Sequence, residues 1–291
     1  AVGGYFGGRI AERTSRSVTL IARGEHLQAI RDRGLEIKSP EGDSIINSPA
    51  YDDPANAPPQ DLILFTVKSY DTDKAIEQVR PAVSERTQVL TIQNGIENYE
   101  KLRRAFGEDR VIRGLCRIGA NMTRPGTIAH NSLGSIVVGE PDGSTTERLE
   151  ALAEVFEETR IRFSISDEIL REVWVKFAWN SIFNMVTAVA AVTVDKLFED
   201  QESERLCRDL FDEIQEVAAA EGVSLTDQDK ESIIDKSGRL EGFTTSTYAD
   251  RKKGKQLEFE AFTGAIVRLA RQHGIRVPHN ETLYALLKLI D

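Results

Sequence analysis

Residues 1–10 read AVGGYFGGRI, and the fold turns on what the four glycines among the first eight residues are for. Glycine at that density suits a loop whose backbone presses against something, because no side chain stands in the way. A dinucleotide-binding loop reads G-x-G-x-x-G, but only after a strand and at the start of a helix. No apolar run precedes Ala1 here, so Gly3 stands as the last glycine of that pattern only if a strand and about ten residues ending in G-x-G belong before it. The alternative is a Gly-rich terminus with no ligand. The remainder of the chain decides between the two.

Composition narrows the field first. A chain of 291 residues, 40% hydrophobic and 29% charged, is that of an ordinary globular protein with room for two domains. A net charge of −10 argues against nucleic acid or an anionic membrane as the main partner, since both would repel it. Cys116 and Cys207 lie far apart, with no CxxC and no metal-ligand spacing, so reduced, buried thiols in a cytoplasmic protein without a metal are expected. No apolar run is long enough to span a bilayer.

The first half alternates short apolar runs with amphipathic ones. SVTLIA (17–22), DLILFTVKS (61–69) and TQVLTIQNG (87–95) read as buried strands, while EHLQAIRDRG (25–34), NYEKLRRAFG (98–107) and TTERLEALAEVFEETR (145–160) read as helices. Continuous apolar strands separated by helices imply a parallel sheet covered on both faces. TIAHN and SIVVGE are shorter and more polar, as edge or antiparallel strands would be. Beyond about residue 165 strand patterns disappear. DEILREVWVKFAWNSIFNMVTAVAAVT (167–193) reads as one long apolar helix, followed by three more around 202–222, 257–274 and 280–291. The expected architecture is a Rossmann-type doubly wound α/β domain over 1–165 and an all-helical domain over 166–291, with an active site in the cleft between them. The basic run RKKGK (251–255) reads as a solvated turn.

If Gly3 closes the fingerprint, the group that reads the adenosine ribose should follow about twenty residues on. Arg23, in IARGEH, occupies that place. Arginine offers a planar charged fork to a 2′-phosphate, where an NAD-specific protein would show Asp or Glu. The opening stretch is therefore read as part of an NADP-binding loop, with Glu25 a mild counter-signal. Two strand ends add polar groups at the edge where open parallel sheets bind ligands. These are Lys68 after LFTV and Asn94, followed by Gly95, after LTIQ. On the long helix, Lys176, Asn180 and Asn184 fall at i, i+4 and i+8 and line one narrow stripe among Trp174, Phe177, Trp179, Ile182, Phe183 and Met185. Buried amides and an ammonium need partners, and a polar ligand would provide them.

These stretches resemble the ketopantoate reductases (2-dehydropantoate 2-reductases), along nearly the whole chain. AVGGYFG is similar to the second half of that family's Gly-rich loop, TLIARGEHL to its phosphate-reading strand end, and VKSYDT and QNGIEN to its lysine and asparagine motifs. EVWVKFAWNSIFNMVTA resembles the segment with the catalytic lysine. TSTYADRKKGKQLEFEAFTG resembles the segment written SSMxxDxxxGxxTEIDxxNG, and HGIRVPHNETLYALLK the closing helix. The resemblance implies Lys176 as general acid and Glu258 as the catalytic, substrate-binding glutamate, with Glu258 also facing the cofactor. It implies Asn180, Asn184, Ser246 and Asn94 as substrate-binding residues, and Gly3, Arg23, Lys68 and Asn94 as cofactor-side residues. Four positions depart from the family pattern: Thr245, Leu257, Glu260 and Thr263.

The implied activity is NADPH-dependent reduction of 2-dehydropantoate to pantoate, in pantothenate and coenzyme A biosynthesis. Apolar walls such as Trp174, Phe177 and Trp179 would hold a lysine's pKa down toward working pH, and Glu258 would accept from the substrate hydroxyl. Alternatives are a reductase of another branched 2-oxo acid on the same scaffold and a non-catalytic NADPH-binding regulator. The expected partner is a small 2-oxo acid, and a homodimer is compatible with the chain.

Overall fold

The opening stretch is not a loop. In the computed structural model, which describes residues 1–291, it forms helix α1 (Val2–Arg13). Glycine is a poor helix former, so packing holds this helix: Tyr5, Phe6 and Ile10 are buried in the core beneath it. Its glycines form the contact face. A Cβ on Gly3 would overlap Thr66 Oγ1 and one on Gly4 would overlap Ile128 Cδ1, while one on Gly8 would come within 2.6 Å of Ile37 Cδ1. Glycine here serves close helix–sheet approach.

After α1 come β1 (Leu20–Ile21), α2 (Gly24–Arg33), β2 (Leu35–Lys38), β3 (Ser44–Ile46), β4 (Ala50–Tyr51) and β5 (Leu62–Phe65). Then follow α3 (Thr72–Val79), β6 (Gln88–Thr91), α4 (Glu97–Phe106), β7 (Val111–Arg124), β8 (Thr127–Gly139), α5 (Glu147–Glu157) and β9 (Arg162–Ile165). Gly34 ends α2 at φ 79°, a left-handed turn that glycine makes at no steric cost.

The sheet is α/β in its packing, but it is curled and mixed rather than one continuous parallel array. Seven strands run β3-β2-β8-β7-β6-β5 with β9 also on β8, and β1 and β4 form a separate parallel pair. The parallel steps are β5–β6–β7, β2–β8 and β8–β9. Strands β7 and β8 form a long antiparallel hairpin with register shifts near Ile118, Ala120 and Arg124. TIAHN and SIVVGE are therefore two ends of one strand. They pair with β2 and β9 respectively, and Leu133 (φ 61°) and Gly134 (φ 117°) bend the backbone between them. Alternate residues feed the two faces of the sheet. Leu90 and Ile112 join Phe6 and Phe156 on one side, while Val89 and Val111 join Ile76, Tyr99 and Leu102 on the other.

The chain forms two compact units, residues 1–93 with 98–169, and 94–97 with 170–291. The second is helical. The expected single helix over 167–193 is broken into α6 (Ile169–Trp179), a π-helical turn (Asn180–Asn184) and α7 (Met185–Ala190), which Ala191 ends at φ 58°. There follow α8 (Gln201–Ala220), α9 (Asp227–Gly238), α10 (Ser246–Lys252), α11 (Thr263–His273) and α12 (Pro278–Ile290). The run 251–255 closes α10 and turns at Gly254, φ 61°. Both cysteines are buried thiols outside any disulfide, and burial pushes the Cys207 thiol up to about 12. No helix is long and apolar enough to cross a membrane.

Candidate active site

Three of the residues singled out by sequence lie in the α/β unit. Gly3 sits in the first turn of α1, where its missing side chain admits Thr66 from the end of β5. Close helix–strand packing of this kind is what the third glycine of a dinucleotide fingerprint provides. Arg23 follows β1 and occupies the N-cap of α2. Its side chain is exposed, and Nη2 donates to Gln78 Oε1 on α3 at 2.9 Å. Lys68 lies just beyond β5, at the N-cap of a single 3-10 turn over Ser69–Asp71.

The others lie in the helical unit, to which the segment 94–97 belongs. Upstream, Gln93 fixes the exit of β6 by donating to Val67 O and Thr72 Oγ1, both at 2.9 Å. Gly95, at φ 87°, turns the chain after Asn94. Lys176, near the end of α6, donates from Nζ to Asn94 Oδ1 at 2.9 Å. The two residues are 82 positions apart in sequence.

The π turn begins and ends on the two asparagines. A π turn winds more slowly than an α turn and recurs at functional sites. Asn184 Nδ2 donates to Asn180 Oδ1 at 3.1 Å and to Ser246 Oγ at 3.4 Å. Asn184 is 2% exposed, and its own Oδ1 has no hydrogen-bond partner. A buried amide oxygen left without a donor costs free energy. Ser246 opens α10, capped by Thr245, whose hydroxyl accepts from Tyr248 N at 3.3 Å and meets Thr187 Oγ1 at 2.8 Å. A threonine at 245 thus keeps the capping hydroxyl of the serine that the family pattern has there.

Glu258 is buried to 9% exposure at the start of a 3-10 turn, Phe259–Ala261. Leu257 beside it is buried and apolar. Trp174 and Phe177, expected as walls for Lys176, pack edge to face with centroids 5.3 Å apart, and Phe177 stacks on Phe262. Trp179 donates its indole N–H to Ser237 Oγ on α9 at 2.9 Å.

Sequence reasoning passed over one constellation. Arg268 on α11 donates to Glu97 Oε2 at 2.7 Å, to Glu260 Oε2 at 2.7 Å and to the Glu260 carbonyl at 2.7 Å. Tyr284 on α12 donates to Glu260 Oε1 at 2.7 Å. Burial acts to lower the Arg268 guanidinium's pKa, but Glu97 and Glu260 outweigh it and raise the value. The hydrogen bond to Glu260 raises the Tyr284 phenol. The only sequence signal was the departure at Glu260 from the family's aspartate.

Residues 1–143 match the family model described as ketopantoate reductase PanE/ApbA, and residues 168–291 match its C-terminal counterpart. The chain is 31% identical to the 2-dehydropantoate 2-reductase of Halobacterium salinarum, over 99% of this chain and 95% of that one. It superposes with a TM-score of 0.93 on the crystal structure of a PanE/ApbA family ketopantoate reductase from Ralstonia eutropha, at 33% identity, covering 100% and 95% of the two chains. A ternary D-mandelate dehydrogenase structure with NADH and anilino(oxo)acetate gives a TM-score of 0.90 at 21% identity, over 99% and 94% of the chains. That last likeness concerns the fold.

Proposed function

The chain belongs to the ketopantoate reductase family, and from that premise we propose that it reduces 2-dehydropantoate to pantoate with NADPH, a step toward pantothenate and coenzyme A. The observation that carries this reading is the Lys176 ammonium held on Asn94, on the same helix run as the buried asparagine pair with its unpartnered amide oxygen. Gly3 would let the start of α1 approach the pyrophosphate, Arg23 would grip the 2′-phosphate, and Lys68 would add charge near the phosphates. When bound, the nicotinamide supplies a hydride to the ketone carbon.

The chain's own groups handle the oxygen. As negative charge grows there, Lys176 stabilises it and transfers a proton from Nζ, so the product leaves as an alcohol and the lysine as a neutral amine that is reprotonated from solvent. Asn94 Oδ1 holds the ammonium on one line beforehand, which reduces the cost of orienting it at the moment of transfer. Asn180, Asn184 and Ser246 orient the polar ends of the substrate, with Asn184 Oδ1 as an acceptor. Glu258 accepts from the hydroxyl that distinguishes 2-dehydropantoate from plain 2-oxo acids.

The departures Leu257, Glu260 and Thr263 favour a second reading, a reductase of another branched 2-oxo acid on the same machinery. Turnover by Glu258→Ala, measured with 2-dehydropantoate and with the same acid lacking its hydroxyl, separates the two. A hydroxyl reader loses affinity for one substrate only. A KM for 2-dehydropantoate raised about tenfold, with the plain acid unaffected, supports the first reading. Equal losses for both acids overturn it in favour of the second.

A further inference from the structure

The geometry points to Arg268 as a positioning residue that sets the Asn94 and Glu258 segments against each other. This inference rests on the reduction proposed above. Arg268 reaches its two partners from the middle of α11, and each partner sits beside a residue of the proposed site. Glu97 stands three residues after Asn94, beyond the turn at Gly95, and Glu260 stands two residues after Glu258 within one 3-10 turn. One guanidinium therefore grips both segments, with Nε and Nη2 on the Glu97 carboxylate at 3.3 and 2.7 Å and Nη1 on the Glu260 carboxylate at 2.7 Å.

The shape of the group matters more than its charge. Arginine's five donors lie in one rigid plane, and only such a fork serves two carboxylates and a carbonyl at once. The Glu260 carboxylate is itself held from the other side by the Tyr284 hydroxyl, so the clamp has an anchored end. Its other end is the short segment that presents Asn94 Oδ1 to the Lys176 ammonium. The side chains of Arg268, Glu97 and Glu260 are 41%, 35% and 51% exposed, and ion pairs that exposed add little to stability. A clamp of this kind contributes through where it holds the backbone. A lysine cannot replace it, because a single ammonium is a point charge without the fork.

The glutamate at 260 is also accounted for. In place of the family's aspartate it supplies one more methylene, and with it the carboxylate meets Arg268 Nη1 and the Tyr284 hydroxyl together.

The test is steady-state kinetics on the full chain with Arg268→Ala, Arg268→Lys and Glu97→Gln, alongside Lys176→Ala. Misplacing a proton donor's support by a fraction of an ångström costs about ten- to a hundredfold in rate. Arg268→Ala should lower kcat by that factor for 2-dehydropantoate and for the plain acid alike, with the Kd for NADPH and the Tm close to wild type. Arg268→Lys should recover only part of the loss, and Glu97→Gln, which keeps shape and removes charge, should fall between. An Arg268→Ala enzyme with kcat within twofold of wild type, beside a Lys176→Ala enzyme that is inactive, overturns the clamp and leaves the reduction standing. Normal turnover by Lys176→Ala removes the reduction and the clamp with it. A lowered Tm with unchanged kcat in both Arg268→Ala and Glu97→Gln assigns the cluster to stability alone and also overturns the proposal.

Discussion

Helix α1 and the broken helix α6–α7 both carry residues of the proposed reaction, and they do so by opposite means. The contact face of α1 is made of side chains that are missing: Gly3, Gly4 and Gly8 bring its backbone down onto Thr66, Ile128 and Ile37. Helix α6–α7 works through polar side chains that it keeps among apolar ones, the half-buried Lys176 on Asn94 and the buried Asn184 on Asn180 and Ser246. A backbone site fails when something is added to it, and a side-chain site fails when something is removed. The two helices should therefore answer mutation with opposite signs.

The largest effect is expected on the side-chain helix. Lys176→Ala should lower kcat by about a hundred- to ten-thousandfold, the range for loss of a general acid, while the Kd for NADPH hardly moves. Stopped-flow turnover and fluorescence titration read the two quantities separately, and a parallel loss of both would erase the contrast between the helices. Next is Arg23→Ala, which on the proposed reading would remove a charge-assisted contact to the 2′-phosphate and should weaken NADPH about ten- to a hundredfold while leaving NADH nearly unchanged. An unaltered ratio of the two affinities would strike out the cofactor assignment.

The smaller effects lie within α1 and sharpen the comparison. Gly3→Ala drives a methyl into Thr66 Oγ1, and overpacking of that kind costs about 1–3 kcal/mol. Adding Thr66→Ala should restore part of it, measurable by urea denaturation as a coupling between the two sites. Gly7 is the internal control. A Cβ there would meet Val18 Cγ1 at 3.7 Å, an ordinary contact, so Gly7→Ala should stabilise by about 0.5–1 kcal/mol through helix propensity. Equal destabilisation by both alanines would mean that the glycine face has no special fit to the sheet.

The parts of the fold that announced themselves in the sequence did so through local pattern. Leu62–Phe65 is a continuous apolar run and Gln88–Thr91 holds the apolar pair Val89 and Leu90, while Gly34 and Gly107 stop the helices before them. Across the glycine stretch propensity argues for a loop, and only the sheet beneath it makes a helix of Val2–Arg13. Strand β7 is absent from the strands expected by sequence, and in its second half Arg117, Asn121 and Arg124 break the alternation on a hairpin whose outer end is exposed. The π turn is invisible to a 3.6-residue template, since one extra residue in a turn leaves the apolar count unchanged. The candidate site residues could be named from type and motif. Their pairings could not, because Lys176–Asn94 and Arg268–Glu97 join positions 82 and 171 residues apart.

The threading of residues 94–97 has a consequence for recombination. Because those four residues belong with 170–291 while their neighbours on both sides belong to the α/β unit, no single crossover separates the two units cleanly. A chimaera spliced at residue 169, taking its helical half from a relative, would unite whatever side chains that relative carries at positions 176 and 268 with Asn94 and Glu97 from this parent. Exchanging substrate preference between homologues therefore calls for two exchanged pieces, the large helical block and a four-residue insert transplanted with it.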